Sequence, residues 1–100
     1  MKPRIKVRVD PDFEDIIPVF LENRQADLRR MLDALRNADF DTIRVLGHGM
    51  KGFGKSYGFD YITEIGSRLE QSAHRKSSEE INEFLNGLAD YLEQVDVSYE

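Results

Sequence analysis

The sequence has no cysteine and no tryptophan, and it contains three prolines and two histidines. Without cysteine the chain forms neither disulfides nor thiolate metal sites, which is typical of a reducing cytoplasm. Acidic residues outnumber basic ones, 19 to 14, and this balance argues against nucleic acid as a general partner. No apolar run approaches the ~20 residues that a membrane span needs. We therefore expect a cytoplasmic protein that binds neither nucleic acid nor a membrane.

The length and composition suit one small globular domain. The chain has 100 residues, of which 40% are hydrophobic and 33% are charged. This length provides one modest core and not two, and the apolar fraction is too high for a disordered chain. We expect a single domain over residues 1–100, present as a monomer.

Apolar residues recur at intervals of three and four along four segments, which is the spacing of amphipathic helices. The segments are Pro18–Asn37, Ile43–Tyr57, Phe59–Ala73 and Ile81–Val95. A capping box, Ser77 followed three residues later by Glu80, precedes the last segment. Long helices with short joints are typical of bundles. The predicted fold is therefore all-α, an antiparallel up-down four-helix bundle over residues 18–95.

The two ends of the chain follow a different pattern. Apolar and polar residues alternate along Ile5–Val9 and along Val95–Tyr99, which predicts short strands. We expect the tails, residues 1–10 and 96–100, to pair as a short ribbon. Asp10-Pro11 matches an N-cap followed by proline, so a short extra N-terminal helical turn is predicted ahead of the bundle.

Five of the seven glycines fall within residues 47–58, around His48. This stretch matches three motif patterns at once. Gly47–Gly52 matches the dinucleotide fingerprint G-x-G-x-x-G, and Gly49–Ser56 matches the P-loop pattern G-x-x-x-x-G-K-S. The third match is histidine, any residue, a hydrophobic residue, lysine and glycine at His48–Gly52, with another glycine six residues further on.

The first two patterns need strands that the rest of the sequence does not offer. A dinucleotide fold needs a second strand with an acidic end about 20 residues later, where this chain has the helical and then basic segment Gly66–Lys76. A P-loop needs a parallel sheet and an apolar strand ending in an acidic residue for magnesium. The apolar stripe Ile43–Tyr57 instead runs through the glycines at helical spacing. Both nucleotide-binding interpretations are therefore weak alternatives.

The third pattern, His48-Gly49-Met50-Lys51-Gly52 followed by Gly58, resembles the histidine-containing phosphotransfer (HPt) domain of bacterial two-component phosphorelays. The likeness extends to Tyr57-Gly58-Phe59 and to Arg68-Leu69-Glu70, and it spans residues 16–95. The resemblance implies a small helical bundle whose histidine lies midway along a long helix and faces solvent. At ~100° per residue, His48 falls opposite the mean direction of the apolar stripe, which agrees with that arrangement.

The resemblance also implies roles for three residues. His48 is the implied phosphoacceptor, which takes a phosphoryl group from a phospho-aspartate receiver domain or a histidine kinase and passes it to a receiver aspartate. Lys51 is implied to stabilise the phosphoryl charge, and Gly52 to admit the receiver's active-site loops. The implied protein is a phosphoryl carrier and not an enzyme with its own turnover. It needs no cofactor, and Mg²⁺ is expected on the partner receiver.

Two further residues are candidates for the site. Lys55 falls with Arg44 and Lys51 on the outer side of the helix, a basic patch on an acidic protein, although its place in the family is often a small polar residue. Glu70 comes level with His48 if the chain turns back after the glycine cluster. A carboxylate that accepts from one ring nitrogen leaves the other nitrogen free to attack. The alternative for Glu70 is an ordinary surface carboxylate.

Several residues of the cluster carry structural expectations. Gly54 and Gly66 are expected to let helices approach closely, whereas Gly52 is expected to face outward. Phe53 departs from the small residue that commonly follows Lys-Gly in the family. On the helical interpretation we expect Phe53 to turn towards the core and to affect packing more than chemistry.

A second function is an HPt-like interaction module that binds a kinase or receiver without phosphotransfer. The presence of both His48 and Lys51 argues against it, because a relative that does not transfer phosphate need not keep them. A metal site formed by His48 and His74 has no supporting carboxylate-histidine spacing, so no metal is expected. The sequence identifies neither the partner nor the direction of phosphate flow.

Overall fold

The computed structural model describes residues 4–100 and is mainly helical. Its four α-helices are α1 (Ile17–Arg36), α2 (Phe40–Phe53), α3 (Asp60–His74) and α4 (Ser78–Gln94). Two short 3-10 helices, Pro11–Phe13 and Lys55–Tyr57, precede α1 and follow α2. Strands β1 (Ile5–Val9) and β2 (Val95–Tyr99) flank the helices. The prediction of a mainly helical protein with four helices is confirmed.

The two strands pair with each other in parallel. Ile5 lies opposite Val95 and Val9 lies opposite Tyr99. Their apolar residues are partly or fully buried against the core, whereas the alternating polar residues are exposed. The sheet therefore packs one face against the helical core, as the alternation requires. The first three residues of the predicted tail 1–10 lie outside the described residues.

Side-chain caps start two of the helices. The Asp39 carboxylate accepts from the Thr42 N–H at 3.2 Å and from the Thr42 hydroxyl at 2.6 Å, and these bonds lower the pKa of Asp39. The Ser77 hydroxyl accepts from the Glu80 N–H at 3.4 Å. The reciprocal half of the predicted capping box is not seen, because the Glu80 carboxylate instead accepts from Ser72 and Arg75.

The helices pack around one core, and α2 makes its most extensive contact with α3. Every α-helix contributes side chains to this core, and those that are completely shielded from solvent include Met31, Ile43, Ile62, Leu69, Ile81, Leu85 and Leu88. Burial of one such side chain stabilises the fold by ~1.5–3 kcal/mol. The position of α2 is therefore fixed chiefly by its contact with α3.

The end of α2 differs from the prediction. The apolar stripe predicted one helix up to Gly58, but α2 ends at Phe53 and Gly58 follows a 3-10 turn with a left-handed φ of 91°. The break has a local cause, because the Lys55 N–H donates to the Thr63 hydroxyl of α3 at 2.6 Å. An α-helix would direct that N–H to the carbonyl four residues earlier. The left-handed Gly58 then turns the chain into α3.

The expectation for Phe53 is wrong. Its side chain is 55% exposed, although the apolar stripe placed it towards the core. The buried residues of α2 are Ile43, Gly47 and Met50. The helix is thus rotated so that a glycine faces the interior and Phe53 lies at the edge of the buried face.

Candidate functional site

Glycines hold α2 and α3 unusually close together. A Cβ added to Gly47 would lie 2.8 Å from the Gly66 carbonyl oxygen, and one added to Gly66 would lie 2.7 Å from the Gly47 carbonyl oxygen. A Cβ on Gly54 would lie 2.6 Å from the Thr63 nitrogen. The expected close-packing roles of Gly54 and Gly66 are confirmed. Gly47 was missed, because a glycine adds nothing to an apolar stripe.

His48 lies beside this close contact and is accessible from outside. Its side chain is 70% exposed, and its Nδ1 atom is 2.8 Å from Oε2 of Glu70 on α3. Glu70 follows Gly66 by one helical turn, so the glycine contact brings the Glu70 carboxylate within reach of α2. The two residues that were predicted to lie at one level therefore contact each other directly.

The Glu70 carboxylate also faces Lys51. The Lys51 Nζ atom lies 3.6 Å from Oε1 of Glu70, and the Glu70 side chain is 25% exposed. Partial burial raises the pKa of Glu70, but the hydrogen bond and electrostatic interaction with His48 and the nearby ammonium of Lys51 outweigh it and lower that pKa. Glu70 is therefore ionised at neutral pH, with one oxygen towards each of its two partners.

The ionisation of Glu70 determines which imidazole nitrogen carries the proton. An ionised carboxylate only accepts hydrogen bonds, so the Nδ1 atom that faces it must be the donor. In the neutral imidazole the other nitrogen, Nε2, then holds the free lone pair. The arrangement therefore presents a histidine whose unprotonated nitrogen is available for nucleophilic attack.

Gly52 leaves open space on the outer face of α2. A Cβ added there would have no atom within 4 Å, and the same holds for Gly49. The expectation that Gly52 faces outward is confirmed. Gly52 lies one turn beyond His48, so no side chain covers the helix backbone at that position beside the imidazole.

The predicted basic patch is present but partly neutralised. Arg44, Lys51 and Lys55 are all exposed, yet Arg44 pairs with Asp41 at 2.7 Å and Lys51 faces Glu70. Lys55 opens the 3-10 helix after α2, and the ion pairs of Glu70 do not include it. The structure thus brings His48, Lys51 and Glu70 together and leaves Lys55 beyond them.

The described residues contain no other arrangement typical of a cofactor or membrane protein. Among residues 4–100, no group of three or more histidine, aspartate or glutamate side chains is placed to hold a metal ion. None of the helices in that range combines the length and the hydrophobicity of a membrane span. The P-loop and dinucleotide patterns both begin inside α2, where the backbone N–H groups belong to a helix and do not form a phosphate-binding loop.

Comparison with known families agrees with this geometry. The family model described as "Hpt domain" matches residues 15–98, which is most of the chain. The chain therefore belongs to the Hpt family, whose members carry phosphoryl groups on histidine in two-component phosphorelays. Searches of curated proteins and of solved structures gave no match.

Proposed function

We propose that His48 is the phosphoacceptor of a phosphorelay. In this proposal the Nε2 lone pair attacks the phosphorus of an aspartyl phosphate on a receiver domain, or of the phosphohistidine of a kinase. A bond from Nε2 to phosphorus forms, the bond from phosphorus to the donor breaks, and the donor leaves with the electron pair. The reverse sequence passes the phosphoryl group to a receiver aspartate.

Glu70 acts on this reaction through the imidazole. Nucleophilic attack places positive charge on the ring, and the Nδ1–H that faces the Glu70 carboxylate shares that charge. This hydrogen bond strengthens as the ring becomes positively charged, and a strengthening of about 1.4 kcal/mol in the transition state corresponds to a tenfold effect on the rate. Glu70 is thus proposed as a positioning residue that fixes the ring and its tautomer.

Lys51 is proposed to stabilise the phosphoryl group, and Gly52 to leave space for the receiver domain. Lys51 lies one turn from His48, and its ammonium can leave Glu70 to meet the oxygens of a phosphoryl group on Nε2, because transfer depends on positioning and charge stabilisation. Gly52 gives the receiver's loops access to the imidazole. Lys55, which is exposed and further along the chain, adds positive charge at the margin of this surface.

The remaining properties of the protein follow from the same proposal. It is a cytoplasmic, monomeric carrier without a cofactor of its own, and Mg²⁺ is bound by the partner receiver. The helices are taken to alternate in direction, because the residues between α1 and α2 and between α3 and α4 are only three in each case. This alternation brings Glu70 back to the level of His48.

The observation that carries the proposal is the exposed imidazole whose Nδ1 lies 2.8 Å from Glu70. The test is incubation with a panel of receiver domains phosphorylated with labelled phosphate. Label should pass to this protein and should be acid-labile and base-stable, as phosphohistidine is. His48→Gln should abolish the labelling, and the matched variant His74→Gln should not. Label that survives in His48→Gln would refute the assignment.

An interaction module without phosphotransfer makes a different prediction. It would bind one of the receivers and show no label on either histidine. Binding alone does not require an exposed imidazole whose Nδ1 is paired with Glu70, which is why we favour transfer.

A further inference from the structure

One exposed apolar side chain of α2 lies next to the reactive imidazole. Val45 is 52% exposed and precedes His48 by three residues. On a helix, residues three apart are neighbours, with about 5–6 Å between their Cβ atoms. Helical side chains also lean towards the N-terminus of their helix, so the His48 side chain extends over the turn that contains Val45. Val45 therefore lies at the rim of the candidate site.

The surface of α2 on one side of His48 is charged. At ~100° per residue, Lys51 lies about 60° round the helix from His48 in one direction, and Val45 lies about 60° in the other. Gly47 is on the Lys51 side and packs against α3, the helix that carries Glu70. Lys51 in turn faces the Glu70 carboxylate at 3.6 Å. The side of His48 that adjoins α3 therefore provides the charged groups of the site.

The opposite side of His48 is apolar and bare. Gly52 lies about 40° and Gly49 about 100° round the helix from His48. Both are on the same side as Val45, and a Cβ added to either glycine would meet no atom within 4 Å. The Val45 methyl groups therefore stand beside uncovered helix backbone. A single exposed valine is ordinary on a protein surface, but this one borders the imidazole on its bare side.

The geometry of transfer determines which partner covers this side. In the proposed function the donor's phosphorus comes within bonding distance of Nε2, so the donor domain touches the imidazole. Even a weak, transient interface covers about 600 Å² on each partner, which is a disc about 14 Å in radius. Val45, with its Cβ about 5–6 Å from that of His48, lies well inside such a disc centred on His48. A receiver domain that reaches Nε2 therefore also covers Val45.

We propose that Val45 is a docking contact for the receiver domain that exchanges phosphate with His48, and that the receiver covers it with an apolar side chain. The inference rests on the proposed function. An apolar partner removes the exposed methyl groups from water, and the bare backbone at Gly49 and Gly52 gives it room. A charged side chain there would lose hydration without gaining a partner, which disfavours a receiver that carries one. The receiver is thus oriented by an apolar contact at Val45 and by the phosphoryl charge at Lys51.

The test measures kcat and KM for transfer from phosphorylated receiver domains, drawn from a panel, that label the wild type. Val45→Ala removes two methyl groups and introduces a good helix former, so the fold should be retained. The variant should lower kcat/KM by about fivefold or more, mainly through a higher KM, as expected when an apolar contact of the interface is lost. Val45→Ile keeps the apolar surface and should stay within about twofold of the wild type.

The matched control is Val19→Ala, the same change at a valine of similar exposure. Val19 is 55% exposed on α1 and lines a groove with Phe53. Phe53 lies about 140° round α2 from His48, so this groove opens away from the imidazole. Val19→Ala should therefore leave kcat and KM unchanged. A loss as large as that of Val45→Ala would contradict a contact specific to Val45.

Further measurements separate this inference from the assignment of His48. Phosphoramidate, a small donor that forms no protein interface, should label the wild type and Val45→Ala at the same rate. Slower labelling of Val45→Ala would mean that Val45 acts on the imidazole and not on docking. If the wild type takes no label from any receiver, the proposed function fails. If the wild type takes label and Val45→Ala has the same KM, the docking role is wrong while the assignment of His48 stands.

Sedimentation velocity tests a second copy of the chain as the alternative occupant. The wild type and Val45→Ala should both sediment as monomers at the concentrations used for transfer. A dimer of the wild type that Val45→Ala dissociates would assign this surface to self-association and overturn the inference.

Discussion

The inner and outer faces of α2 use glycine for opposite reasons. On the inner face Gly47 packs against the α3 backbone, and an added Cβ would come within 2.8 Å of a carbonyl oxygen. On the outer face Gly49 and Gly52 have open space where a side chain would be. A glycine in a helix costs ~1 kcal/mol relative to alanine. Close packing offsets this cost for Gly47, whereas Gly49 and Gly52 have no neighbouring atoms that would offset it.

The difference shows where the requirement for each glycine comes from. The inner contact draws α3 towards α2 and so sets the 2.8 Å distance between His48 and Glu70. The outer glycines leave a bare strip beside the same imidazole. The close packing on the inner face therefore fixes the contact between His48 and Glu70. We infer that the outer face is kept clear for the domain that delivers the phosphoryl group.

The largest effect on stability is expected from filling the inner face. Gly47→Ala should lower the melting temperature by at least about 5 °C, because forcing a methyl group between two packed backbones costs ~1–3 kcal/mol and more where neither side can yield. The matched variant is Gly49→Ala, two residues away on the same helix. It should raise the melting temperature, since its methyl group enters open space and the helix gains from losing a glycine.

Thermal unfolding followed by circular dichroism measures both changes. Equal shifts in the two variants would mean that the two faces of α2 do not differ as the structure indicates.

The next largest effect concerns the outer face. Gly52→Gln should raise the melting temperature by a few degrees, because it removes an exposed helical glycine from a small domain. The same change should slow phosphotransfer from receiver domains about tenfold or more, since the new side chain occupies the strip beside His48. Stability and activity would then change in opposite directions, as expected for a residue kept for its partner.

Labelling of Gly52→Gln by phosphoramidate is the control. It should remain normal, because the small donor needs less of the cleared surface. If Gly52→Gln is less stable than the wild type and transfers phosphate normally, the assignment of Gly52 to the outer face of α2 is wrong.

A smaller effect is expected at the contact between the two helices. Glu70→Ala should slow transfer to His48 by about tenfold, because the variant loses the strengthening of this hydrogen bond by about 1.4 kcal/mol as the ring becomes positively charged. Glu70→Gln should retain part of the rate, since its amide oxygen still accepts from Nδ1 but carries no charge. The comparison is made with phosphoramidate as well as with receivers. Unchanged rates with both donors in Glu70→Ala would reduce Glu70 to a surface carboxylate.

The smallest effect is the pH dependence of stability. The lowered pKa of Glu70 means that its ionised form stabilises the folded state. This contribution is complete above the ordinary glutamate pKa of about 4.3 and is lost as the pH falls through the lowered value. The difference in melting temperature between wild type and Glu70→Gln should therefore shrink as the pH is lowered from 6 to about 3. A constant difference across that range would show that the Glu70 charge adds nothing to stability.

Much of the site could be predicted because His48, Lys51 and Gly52 lie within one short stretch of the sequence. The motif around His48 identified the family, and helical spacing alone placed His48 and Gly52 on the outer side of α2. The contact with Glu70 needed one further step, the chain reversal after the glycine cluster. Gly58, with its φ of 91°, is the residue at which that reversal takes place.

The errors share a physical cause. Apolar periodicity records which face of a helix carries hydrophobic side chains, but close backbone packing is made by residues that have none. Gly47 was therefore missed, and Phe53 was placed in the core although it is exposed. The partner of Glu80 could not be predicted either, because Ser72 and Arg75 compete with the Ser77 backbone and only the tertiary arrangement decides between them.

The central claim is that the imidazole of His48 carries its proton on Nδ1 and reacts through Nε2. Nitrogen NMR of protein with ¹⁵N-labelled histidine measures this directly, before and after phosphorylation. The account predicts a protonated Nδ1 in the free protein and a phosphoryl group on Nε2 of His48 afterwards. A phosphoryl group on Nδ1, or a free protein whose proton sits on Nε2, would contradict it.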